Sequence, residues 1–90
     1  MLISQIQKQI VDGHSACLIR PRKEKRETGQ PIEYDTKPLF TGNKRGWVLL
    51  DVTTANAMQT CFNALSPLRQ AQWDRVPVAT LVNFAWKYVK

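Results

Sequence analysis

At Asp51 the chain changes its periodicity, and this change restricts the fold more than any other feature. Upstream, apolar residues fall in short runs broken by glycine, proline and charge; downstream come three stretches with helix-starting signals. Thr53 or Thr54 is placed to cap a segment reaching Leu65, and Ser66-Pro67 reads as an N-cap followed by proline at the first helical position. Pro77 opens a third segment that runs to the C-terminus. Near the N-terminus, Leu2, Ile3, Ile6, Ile10 and Val11 keep helical spacing, with Ser4, Gln5, Lys8 and Gln9 on the wetter side, so an amphipathic helix ending at Asp12-Gly13 is expected.

Between the helical regions lie the strand signals. Ser15–Arg20 (SACLIR) is a short apolar run between a glycine and a proline. PLFT and WVLLDV flank GNKRG, whose glycines and asparagine admit positive φ, which predicts a hairpin. Trp47–Val52 is apolar except at Asp51, as expected of a central strand covered on both faces. The order is then α-β-β-β-α-α-α. Strands segregated from helices give the α+β class: a small antiparallel sheet of about three strands, with the N-terminal helix and three C-terminal helices packed on it. Ninety residues with 43% hydrophobic content suit one domain, 1–90, and are too few for two cores or an ordinary buried catalytic cleft.

The stretch from Pro21 to Pro38 holds three prolines, one glycine and dense charge, and reads as a long loop with a mobile basic arm over 21–31. The net charge is +6, and Arg20 to Gly46 holds eight basic and four acidic residues, so most of the excess falls on this region. Arg20, Arg22, Lys23, Lys25 and Arg26 in the arm, with Lys44 and Arg45 in the GNKRG turn, are the candidate nucleic-acid contacts, because each cation that meets a phosphate releases counterions. Glu24 and Glu27 interrupt the run, and a solvated loop that keeps a sheet edge soluble is the competing reading. No aromatic residue lies inside the arm, while Phe40 and Trp47 flank the turn.

A second candidate surface lies in the C-terminal helix. At helical spacing Thr80, Asn83, Lys87 and Lys90 form one narrow polar stripe, and the apolar residues cover an arc of roughly 220°. One packing face needs an arc of only about 100°. Either this helix is central, between the sheet and the Ser66 helix, or Phe84, Trp86 and Tyr88 meet a partner. Asn56, Gln59 and Asn63 join them as candidate interface residues because they form an uncharged polar face on the preceding helix. Trp73 is expected to plug the core.

Enzyme chemistry finds little support. His14 and Cys17 have a plausible ligand spacing, but Cys61 is the only further soft ligand, so no metal site is expected. No second base is placed near either cysteine, and no Gly-x-Ser-x-Gly or phosphate loop is present. No cofactor or small-molecule substrate is indicated. Both cysteines sit among apolar neighbours as small core residues, and no signal-like or membrane-spanning run occurs, so a cytoplasmic location and no membrane partner are expected. The leading expectation is a small non-enzymatic binding protein acting on a nucleic acid or a nucleic-acid-handling complex through its basic arm. The alternative is a protein-interaction module, such as a phage- or plasmid-borne inhibitor or adaptor of a host enzyme, that uses the aromatic C-terminal helix and can form a homodimer through it.

Overall fold

A computed structural model describes residues 1–22, 29–40, 42 and 45–88. It contains α1 (Ile3–Gly13), β1 (Cys17–Pro21), β2 (Tyr34–Pro38), β3 (Val48–Leu50), α2 (Val52–Asn63), α3 (Pro67–Trp73) and α4 (Val78–Tyr88). The protein is thus an α+β domain with a three-stranded antiparallel sheet and four helices, the class and element order expected.

The strand order is β2-β1-β3, so β1 is the central strand. It pairs antiparallel with β2, placing Ile19 opposite Thr36, and with β3, placing Ile19 opposite Val48. This corrects two expectations. The Trp47–Val52 run is not central: β3 has a neighbour on one side only, and Val48 and Leu49 are about half exposed. No hairpin joins β2 to β3, because both pair with β1 instead of each other. Pro38 ends β2 beside Cys17, whereas Val48 begins β3 beside Ile19, so these two successive strands lie on opposite edges of the sheet. The second strand also lies earlier than PLFT, since Tyr34–Pro38 pairs with β1 and Leu39-Phe40 is already turn. Alternating Tyr34, Asp35, Thr36 and Lys37 hides this strand among charges, yet one side of such a strand can face water.

Side chains alternate across β1. Ile19 joins the main core with Tyr34 and Leu50, beneath Ile3, Ile6 and Ile10 of α1 and Ala55, Met58 and Cys61 of α2. Leu18 is also buried but lies outside that cluster, as expected of a side chain on the opposite face. Small residues at Ala55, Ala57 and Cys61 allow α2 to pack against α1, α3 and α4. The hub of the helical layer is therefore α2, and α4 is not the central helix: it buries only Val78, Leu81 and Ala85.

Long-range hydrogen bonds fix the helix ends. The Asp51 carboxylate accepts from the Thr54 amide at 2.7 Å, so Asp51 rather than Thr53 or Thr54 caps α2. Ser66 caps α3 through Arg69 N, at 3.4 Å. The Asp74 carboxylate, between α3 and α4, accepts from Ser4 N and Ser4 Oγ at 2.8 Å each and closes the start of α1. The buried Tyr34 hydroxyl accepts from Val78 N at 3.1 Å, tying β2 to the start of α4. His14 ends α1 in the left-handed region at φ 50°, one residue after Gly13. A non-glycine residue is strained there by roughly 1–2 kcal/mol.

Among the described residues one polar amide side chain, Gln7, is fully buried, on the α1 stripe between Ile3, Ile6 and Ile10. Trp73 Nε1 donates to Gln7 Oε1 at 2.9 Å, and Gln7 Nε2 donates to Gln59 Oε1 at 3.0 Å. Gln59 Nε2 in turn donates to Asn63 Oδ1 at 3.2 Å. An indole N–H can only donate, so it orients the whole chain of amides. Trp73 is the buried plug expected of it, with Phe62 edge-on at 5.5 Å.

Candidate nucleic-acid interface

Pairing register places Arg20 opposite Asp35 and Leu18 opposite both Lys37 and Leu49. Directly opposed residues share a face, so Leu18, Arg20, Asp35, Lys37 and Leu49 lie on the side of the sheet away from the helices. Trp47 returns over this face. The Arg20 guanidinium carbon lies 4.4 Å, and Lys37 Nζ 4.5 Å, from the centre of its ring. Each cation–π contact is worth about 0.5–1 kcal/mol at an exposed site, and together they hold two cations at a fixed separation.

Asp35 completes the arrangement. Arg22 Nε donates to Asp35 Oδ1 at 2.9 Å, and Arg20 Nε lies 3.9 Å from Asp35 Oδ2. Arg22 N also donates to Glu33 O at 3.0 Å, extending the β1–β2 ladder one step past the strands. The carboxylate neutralises part of the local charge and fixes the arginine side chains, which reduces the side-chain entropy a ligand must remove on binding. Arg20, Arg22 and Lys37 outnumber Asp35 on this face, and Arg45 is exposed two residues before Trp47. Phe40 is 91% exposed in the same connection.

Of the sequence-derived contacts, the structure brings Arg20 and Arg22 together at the exit of β1, and Arg45 lies in the connection that carries Trp47. Lys23, Lys25, Arg26 and Lys44, and with them most of the expected mobile arm, lie outside the described residues. Two further residues were missed at sequence level. Lys37 joins the site because β2 pairs with β1 and sets it opposite Leu18, and Trp47 because β3 pairs with the other edge of β1; the sequence carries no local sign of that strand order.

The expected partner surface divides. Phe84, Trp86 and Tyr88 are 46%, 39% and 52% exposed. Asn56 and Asn63 are exposed, but Gln59 is held toward α1 by Gln7, so the uncharged face of α2 meets α1 through it. Cys61 is buried and Cys17 half-buried; burial pushes both thiols above the ordinary range, which keeps them protonated and poorly nucleophilic. Among the described residues no three His, Cys, Asp or Glu side chains cluster to hold a metal ion, and no helix is long and apolar enough to cross a membrane.

Compared with protein-family models, curated proteins and solved structures, the chain matches none. The class is defined by the fold alone: a small α+β domain with a three-stranded antiparallel sheet under four helices.

Proposed function

We propose that the protein is a non-enzymatic module that binds the backbone of a single-stranded nucleic acid, alone or within a nucleic-acid-handling complex. The observation that carries this reading is Trp47 held against Arg20 and Lys37 on the sheet face that the helices leave open. Fixed cations beside an exposed aromatic ring are the combination that single-strand binding needs: charge follows the phosphates and a ring stacks on a base. Trp47, half-buried with its ring engaged by two cations, acts as the scaffold, and the stacking surface is assigned to Phe40, 91% exposed three residues beyond Lys37 in the chain. Arg22, exposed just past the end of β1, extends the track. Contacts to phosphate fix position without reading sequence, so affinity should depend little on base order.

Anisotropy of a labelled oligothymidylate titrated at several salt concentrations tests this. Replacing Arg22, Lys37 and Arg45 by Ser should flatten the log-log salt slope by about 2, at roughly 0.7 per phosphate on a single strand. Phe40→Ala should weaken binding by about 1–3 kcal/mol while leaving the slope unchanged, because it removes stacking alone. Binding that both variants retain in full, or no binding at low salt, refutes the reading.

A further inference from the structure

Between α3 and α4 runs a groove of about 480 Å³, away from the sheet face and sharing no residue with it. Its walls are mostly apolar, with Leu65, Leu68, Val76, Leu81 and Phe84 around Trp73 at the base, and the uncharged Gln72 and Thr80 complete them beside Arg69. Leu68 projects from α3 with 72% of its surface exposed, and Phe84 faces it from α4, so two large apolar side chains flank an open cleft. Tyr88, four residues beyond Phe84, continues the same side of α4.

Charge decides what fits. From Val52 to Tyr88 the charged residues are Arg69, Asp74, Arg75 and Lys87. Asp74 is turned onto Ser4, and no ion pair among the described residues engages the three cations. Arg69 lines the groove itself, and Lys87 lies one turn from Phe84. The cleft is thus mainly apolar within, and the charges beside it that no ion pair or hydrogen bond holds are cationic.

We infer that this groove binds an acidic amphipathic helix of a partner protein, with two apolar side chains one turn apart seated between Leu68 and Phe84 and carboxylates facing Arg69 and Lys87. A second copy of the chain is a poor occupant. Of the described acidic residues, Glu33 pairs with the Met1 amino group, Asp35 with Arg20 and Arg22, Asp51 caps α2 and Asp74 holds Ser4, which leaves only Asp12. Two chains of net charge +6 also repel. An anionic membrane would match the charge but not the shape, since a concave cleft admits protruding side chains whereas a bilayer takes a convex apolar face.

The probe is a synthetic amphipathic helical peptide with Leu and Phe anchors one turn apart and glutamates on its flanks. Its controls are a twin with lysines for the glutamates and a twin with alanines for the anchors. Amide shifts in the full-length protein should change along α3 and α4 with the acidic peptide and with neither twin. Leu68→Ser, at a site too exposed to disturb the fold, should weaken binding about tenfold or more if Leu68 is an anchor. Arg69→Glu should weaken the acidic peptide and favour the lysine twin. Shifts confined to residues outside the groove, equal binding of all three peptides, or affinity unchanged by Leu68→Ser overturns the inference. So does capture by anionic vesicles, rather than the peptide, that Leu68→Ser abolishes.

Discussion

Replacing Gln7 by Met isolates one buried hydrogen bond in the core. Met has nearly the same length and volume, so packing changes little, but it cannot accept from an indole N–H as an amide oxygen does. Trp73 Nε1 then remains buried without a partner, which costs about 1–3 kcal/mol. Gln59 is only half-buried and its amide can turn to water, so its loss adds little. We expect a net destabilisation of about 2 kcal/mol, or roughly 8–16 °C in Tm for a domain of this size. Trp73→Phe should cost more, since it strands Gln7 Oε1 and removes indole volume beside Phe62. The double variant Gln7→Met with Trp73→Phe strands neither group, and its cost should fall below the sum of the singles by about 1–2 kcal/mol. Guanidinium unfolding followed by far-UV circular dichroism measures all four proteins without relying on the altered tryptophan. A Gln7→Met protein within about 0.5 kcal/mol of wild type, or strict additivity in the cycle, would refute the reasoning.

Asp51→Ala should cost about 1 kcal/mol at neutral pH by removing the cap of α2. The Thr54 amide and hydroxyl hold the Asp51 carboxyl below the usual carboxylate range, so its contribution is present above about pH 4 and is lost as pH falls through the folded value; the gap between variant and wild type should close in acid, and a gap constant with pH would contradict the cap. A thiol reagent should label half-buried Cys17 first and reach Cys61 only when the core opens; in the Cys17→Ser protein the remaining thiol should react at a rate that follows unfolding in mild denaturant, and rapid labelling in native buffer would place Cys61 outside the core.

The local elements were legible in the sequence because each rests on short-range physics. Ile3, Ile6 and Ile10 at helical spacing build α1, Ser66-Pro67 opens α3, and segregation of strand runs from helical runs determines the α+β class. What failed was pairing. A continuous apolar run such as Trp47–Leu50 looks the same whether strands flank it on one side or both, and nothing local says that β2 and β3 both choose β1. Gln7 shows the same limit, since an amide on an apolar stripe reads as an exception until Trp73, distant in sequence, arrives to donate to it. The amount and sign of charge around Arg20 were likewise in the sequence, but its arrangement was not. Only the tertiary fold, by pairing β2 and β3 with opposite edges of β1, sets Trp47 against Arg20 and Lys37; and only the packing of α2 as hub leaves Phe84 and Leu68 facing each other across an unfilled cleft. Helices and turns form from neighbours along the chain, whereas strand order and helix packing depend on which distant surfaces bury best together.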